Sequence, residues 1–154
     1  MSPKGIVWSV CIVLGLLVAM SVATAESAPK KPTGTIVVTG YGFKNGDGQA
    51  VVGVYRRGAN WLNLAKAFKR YQVPIKNGRI MVLVKNLPFD EYGITVLHDK
   101  NKNGRMDMRW LPFPKPREGG GISNNWVRRG KPKYEKAKFD FARGLMSVRI
   151  KVVY

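Results

Sequence analysis

The chain is poor in cysteine, histidine and acid. Its 154 residues include one cysteine, one histidine and nine Asp or Glu. Cys11 lies inside an apolar N-terminal run, away from the cleavage-site position of a lipid-modified cysteine. Without that run the chain has no thiol, which excludes a disulfide framework and cysteine chemistry. The single histidine, His98, stands beside a turn and suits a structural hydrogen bond better than catalysis. Ser123 is the nearest conspicuous hydroxyl, but no G-x-S-x-G elbow surrounds it. Few, scattered acids make a paired-carboxylate hydrolase a poor fit. The chain is therefore expected not to be an enzyme. Internal repeats and heptads are absent too.

Residues 1–25 read as a secretory signal peptide. Lys4 gives a short positive start, an apolar run follows from about residue 6 to 22, and Ala23-Thr24-Ala25 supplies a small-x-small cleavage site. The alternative is a membrane anchor, but about 17 apolar residues sit at the low edge for spanning a bilayer. Cleavage after Ala25 leaves 129 residues, enough for one cored domain. The expected location is periplasmic or extracellular, with no transmembrane segment after cleavage. The expected organisation is a signal peptide at 1–25, a flexible leader at 26–33 and a single domain at 34–154.

The charge is strongly one-sided. The whole chain carries +18, and loss of Lys4 with the signal leaves +17. Such a field attracts anions without specifying a fold. For an exported chain the expected partner is an anionic envelope component, a polyanion or a lipid headgroup surface. Aromatic residues Trp110, Phe113, Trp126 and Tyr134 alternate with Arg109, Lys115, Arg117, Arg128, Arg129, Lys131 and Lys133. Stacking plus charge holds single-stranded nucleic acid, and Arg with Trp equally suits anionic lipid or glycan. No RNP-like signature is present, so no specific nucleic-acid partner is expected.

Periodicity is mostly that of strands. Residues 35–41 (TIVVTGY) and 50–56 (AVVGVYR) flank two turn dipeptides, Asn45-Gly46 and Asp47-Gly48, and predict a hairpin. Residues 78–86 are apolar on both faces and predict a central, well-buried strand. Residues 90–98 place Tyr92, Ile94, Val96 and His98 on one side. Residues 108–133 are irregular. Residues 134–141 and 145–154 alternate again, with Ala137, Phe139, Phe141, Ile150 and Val152 facing inward. One segment differs: Trp61, Leu64, Ala65 and Phe68 fall at helical spacing, so residues 60–71 predict a short helix or helical turn, capped by Asn60, that packs its apolar stripe on a sheet. The expected fold is an all-β antiparallel sandwich of six or seven strands with one short helix.

The most specific segment is residues 98–107, HDKNKNGRMD. Asp99, Asn101, Asn103 and Asp107 place side-chain oxygens at loop positions 1, 3, 5 and 9. Gly104 takes position 6, where a calcium loop turns sharply. With the Arg105 carbonyl these residues would offer five ligands to calcium, and Glu118 or water would complete the shell. Trp110 stands where an EF-hand has its bidentate Glu, so this is not an EF-hand. Lys100, Lys102 and Arg105 weaken cation binding further. The competing reading is a metal-free turn, since Asn103-Gly104 suits a tight turn and Asp99 and Asn101 suit Asx-turns. A later loop, residues 119–125 (GGGISNN), lacks a P-loop lysine and reads as a flexible loop whose Ser123, Asn124 and Asn125 bond local backbone.

Three motifs follow in order: HDKNKNGRMD at 98–107, GISNN at 121–125 and PKYEKAKF at 132–139. Together they resemble a family of short secreted bacterial proteins, domain-of-unknown-function family 2141. The resemblance spans the chain from Gly34 onward. It implies an immunoglobulin-like or prealbumin-like β-sandwich outside the cytoplasm, and no activity. Two departures stand out. The family's Gly-Ile-Pro-Lys-Glu type segment is PFPKP here, with its acid displaced to Glu118. Lys100 stands where the family often has an acid.

Overall fold

The computed structural model describes residues 31–126 and 130–154. The expected signal peptide and most of the leader lie outside the described residues. Residues from Lys31 onward form one compact unit. Among the described residues no helix is long and apolar enough to cross a membrane.

The fold is an all-β sandwich. Its strands are β1 (Thr33–Tyr41), β2 (Gln49–Arg56), β3 (Lys69–Val73), β4 (Arg79–Pro88), β5 (Asp90–Asp99), β6 (Met108–Arg109), β7 (Lys115–Pro116), β8 (Gly120–Ile122), β9 (Phe139–Phe141) and β10 (Leu145–Lys151). One sheet has the order β10-β1-β4. The other has the order β3-β2-β5-β8, with β9 also on β5. β6 and β7 form a separate small hairpin. The pairings are antiparallel except for β1 with β10, which is parallel. The two sheets thus hold eight strands, against the six or seven expected.

Alternation explains the core. Ile36 and Val38 of β1, Ile80, Val82 and Val84 of β4, and Ile150 of β10 face Ala50, Val52 and Val54 of β2 and Tyr92, Ile94 and Val96 of β5. Phe141 of β9 closes the layer. Burying each such side chain contributes about 1.5–3 kcal/mol. The expected inward set on residues 90–98 is fully buried, His98 included.

β2 and β5 are buried on both faces. Their second face carries Val51, Tyr55 and Leu97, and two chain segments cover it. Trp61 packs edge-on against Tyr55 at 5.0 Å and against Tyr134 at 5.3 Å between ring centroids. Its indole N–H donates to the Pro132 carbonyl at 2.9 Å. Gly93 of β5 permits this approach, because a Cβ there would sit 2.9 Å from both the Trp61 and Tyr134 rings.

Several expectations need correction. Of the helix or helical turn expected over residues 60–71, only a helical turn forms, a single 3-10 turn at Leu64–Lys66, set between other turns and the start of β3. Arg57, Gly58, Asn60 and Leu62 all have positive φ, which a helix does not allow, and Asn60 therefore caps nothing. The apolar spacing reflects packing of Trp61 and Leu64 on the sheet, while Phe68 is left exposed. The described helix is one turn, α1 (Tyr134–Ala137), where a strand was expected. β4 is an edge strand, not a central one, and Met81 and Leu83 on its outer face are exposed. The first strand already includes Thr33, which pairs with Pro88.

Asp90 opens β5 with a cluster of donors. Its carboxylate accepts from Arg56 Nε at 2.6 Å, Arg57 Nε at 2.7 Å and its neighbour's Glu91 N–H at 2.8 Å. Burial pushes this carboxyl up, but Arg57, the Glu91 amide and Arg56 override burial and hold it at about 2. The folded value lies below the unfolded value of about 3.9, so the group stabilises the fold above roughly pH 4 and stops doing so as pH falls through 2. Solvent screens the exposed Arg57 arm. Asp90→Asn is therefore expected to lower stability by about 1–2 kcal/mol at neutral pH. The difference from the parent should shrink toward pH 2, as read by denaturant melts across that range.

Candidate functional site

The loop from Asp99 to Glu118 begins where β5 ends. Asp99 is fully buried and sits opposite Gln49 of β2. Its Oδ1 accepts from the Asn103 N–H at 3.0 Å. Its Oδ2 accepts from the Gly104 N–H and from Gln49 Nε2, both at 2.8 Å. The chain thus wraps around one carboxylate. Gly104 makes the sharp turn expected at that position in the left-handed conformation, with φ +75°. A Cβ there would also displace the Arg70 guanidinium, which lies 2.3 Å from its position and is free to swing away.

A second carboxylate closes the loop. Glu118 is 4 % exposed. It accepts from the Lys100 N–H at 2.7 Å and from the Asp107 N–H at 3.0 Å, one bond at each end of the loop. Glu118 therefore bonds backbone, which departs from its expected place in a metal shell. Asp107 is itself turned inward: Asn101 Nδ2 donates to it at 2.7 Å and Asn103 Nδ2 at 2.8 Å. Asn101 Oδ1 and Asn103 Oδ1 accept from the backbone N–H groups of Asn103 and Arg105. The Asx-turn expected at Asn101 forms, a second forms at Asn103, and Asp99, expected to make one, reaches instead to the amides four and five residues on.

The structure thus gathers Asp99, Asn101, Asn103, Asp107 and Glu118, while Arg105 enters through its amide and its side chain is exposed. Among the described residues, no three His, Cys, Asp or Glu side chains form a metal cluster. The arrangement is chemically a hydrogen-bonded knot. For a cation to bind, the Asn101 and Asn103 amides would have to turn their oxygens toward Asp107, against the nearby charges of Lys100, Lys102 and Arg105.

His98 lies on the core side of the same strand end. Its Nε2 is 2.8 Å from the Asp47 carbonyl, and its Nδ1 is 2.5 Å from the Tyr154 hydroxyl. A carbonyl can only accept, so Nε2 carries the proton in the neutral ring, and the Tyr154 O–H donates to Nδ1. Lys44 N–H donates to the same hydroxyl at 3.0 Å. The hairpin expected from residues 35–41 and 50–56 does not form, because β1 and β2 belong to different sheets; their connection crosses between the layers, and His98 ties it to the C-terminus.

Ser123 is held elsewhere. It accepts from the Ile94 N–H at 3.0 Å and donates to the Ala137 carbonyl. Asn124 donates to the Lys138 carbonyl, and Asn125 bonds both Arg149 and Lys151 of β10. These partners are 14 to 26 residues away, so the expected local bonding is corrected. The Gly-Ile-Ser-Asn-Asn run is a staple joining β5, α1 and β10.

Gln49, Asp47 and Tyr154 escape sequence reasoning. The register of β2 on β5 would have found Gln49, while Asp47 acts through its backbone and Tyr154 from the far end of the chain.

Fold and loop define a class: an all-β sandwich whose central strand ends in an Asx-rich knot closed by a buried glutamate. The model of the family described as "uncharacterized protein conserved in bacteria" (DUF2141) matches residues 36–149, and the chain belongs to that family. No curated protein and no solved structure matches it.

Removing the Glu118 carboxylate leaves two backbone N–H groups without their acceptor. Glu118→Ala is expected to cost about 2–4 kcal/mol and to speed amide hydrogen exchange at Lys100 and Asp107. Glu118→Gln, which keeps one acceptor oxygen, is expected to cost less. Denaturant melts and exchange measured by NMR test both.

Proposed function

We propose that this is an exported, non-enzymatic binding module that engages an anionic component of the cell envelope through its basic surface, with the Asp99–Glu118 knot serving as a structural pin. One observation carries the proposal: Asp90, Asp99, Asp107 and Glu118 are taken up by hydrogen bonds within the fold, which leaves Asp47, Glu135 and Asp140 as the exposed acids among the described residues, amid a large excess of exposed cations. Asp99 and Glu118 are buried under backbone donors, Asp90 is enclosed by arginines, and Asp107 is bonded to asparagines. Among the described residues, the ion pairs run through Arg56, Arg57 and Lys138 alone. The surface therefore carries the large positive excess that the composition states. An open cleft of about 580 Å³ lined by Lys31, Arg56, Arg57 and Lys66 continues that surface. The expected result is saturable binding to a soluble polyanion such as dextran sulfate, with affinity falling steeply as salt rises. Binding that ignores salt contradicts the proposal.

A second reading, weak calcium binding at Asp99, Asn101, Asn103, Asp107 and the Arg105 carbonyl, is favoured by the gathering of the four oxygen-bearing side chains in one loop, although the two asparagine amides must turn for it. Calorimetry with calcium separates the two. A saturable heat lost in Asp107→Ala supports the metal site. Polyanion binding unchanged by that substitution, with no calcium heat, supports the structural pin.

A further inference from the structure

Among the described residues, the hairpin of β6 and β7 carries the two most exposed large apolar side chains, Leu111 and Phe113, next to a third, Trp110. Trp110 is 69 % exposed, Leu111 81 % and Phe113 77 %. They are neighbours in one short connection, residues 110–114, that also holds Pro112 and Pro114. Scattered exposed apolar residues are ordinary, but three large ones within four positions are not.

Cations ring this tip. Arg109 and Lys115 flank it in sequence and are direct cross-strand partners. Like charges placed opposite each other destabilise a strand pair, so an anion between them would relieve the hairpin. Arg117 joins Arg109 and Lys115 around an open cleft of about 360 Å³. Residues 108–117 contain no acid, and the two acids at their base, Asp107 and Glu118, are bonded inward.

From this geometry we infer that the β6–β7 tip inserts Trp110, Leu111 and Phe113 into the interface of an anionic lipid bilayer, while Arg109, Lys115 and Arg117 bind its headgroups. The inference rests on the anionic-envelope reading above and names its partner. An apolar tip beneath a cationic collar matches the two layers of such a surface, acyl chains below and negative headgroups above. Trp and Arg are suited to that boundary. A soluble polyanion would satisfy the cations but leave Leu111 and Phe113 in water. A second copy of the chain would bring two strongly positive bodies together. The Glu118 clamp explains how the tip is presented: it fixes the base of the hairpin through the Asp107 N–H, and the Arg117 N–H donates to the Asp107 carbonyl at 2.9 Å.

The test uses the chain from Glu26, which contains the whole compact unit and omits the apolar residues 6–22. It is mixed with vesicles of phosphatidylglycerol and phosphatidylcholine, and with vesicles of phosphatidylcholine alone. Partition is expected into the anionic vesicles. Lipids brominated near the headgroup end of the acyl chain should quench the tryptophan emission, and Trp110→Phe should abolish most of that quenching. The combined change Trp110→Ser, Leu111→Ser and Phe113→Ser should weaken partition at least about tenfold. Arg109→Gln and Lys115→Gln should each weaken it about fivefold. All of these positions are exposed, so the melting temperatures should match the parent, and any variant that melts lower is replaced by its single substitutions. Full partition of the triple variant into anionic vesicles overturns the tip assignment and leaves the basic-surface reading standing. Loss of binding to both vesicles and dextran sulfate in the parent chain overturns both. Equal binding to neutral vesicles, or a dimer in sedimentation that the triple variant abolishes, overturns the lipid assignment.

Discussion

Two carboxylates buried without a cation organise one end of this sandwich. Asp99 and Glu118 take their hydrogen bonds from backbone N–H groups and one glutamine rather than from lysine or arginine. A buried charge is costly unless its lone pairs are filled. Here the chain fills them by folding around them, which fixes the path of residues 99–107. Closure at Glu118 then delivers the strand β8 to β5 and the Gly-Ile-Ser-Asn-Asn staple to β10. The staple links the two sheets at points far apart in sequence, so the knot and the sandwich support each other.

The same internal use of acid shapes the exterior. Each carboxylate drawn inward removes a partner from the surface cations, and the excess of Lys and Arg is left facing solvent. Electrostatics therefore join fold and proposed role. The acids that hold the loop are the ones missing from the surface, and the hairpin standing on that loop carries cations with no acid of its own. Charge alone does not select a partner. The coincidence of a cationic collar with three exposed apolar side chains narrows the choice to a surface with both an anionic and an apolar layer.

Much of the frame was legible from residue order. Period-two alternation placed Tyr92, Ile94, Val96 and His98 on one buried face, because successive side chains of a strand point to opposite sides. The Asx spacing and Gly104 predicted a tight loop with a sharp turn at residue 104, which the structure makes in the left-handed conformation. Where periodicity failed, a distant contact had decided the outcome. Trp61 and Leu64 are spaced as on a helix, yet they are apolar because they cover the outer face of β2 and β5. Residues 80–84 are apolar on both faces, yet nothing among the described residues covers Met81 and Leu83, and β4 pairs with β1 alone and so lies at an edge. Burial of an outer face depends on what the chain lays over it, and a local window does not contain that.

What the sequence determined by itself is therefore local: strand pattern, turn positions, the oxygen-rich loop, the absence of a thiol after the leader and the excess of positive charge. Only the tertiary structure decided the roles of Glu118, Gln49 and Tyr154, the doubly covered central strands and the exposure of residues 110–113. The physical reason is range. Alternation and turn chemistry act over a few residues, whereas a buried carboxylate or imidazole finds its partners across the sandwich, up to 56 residues away in the His98–Tyr154 contact.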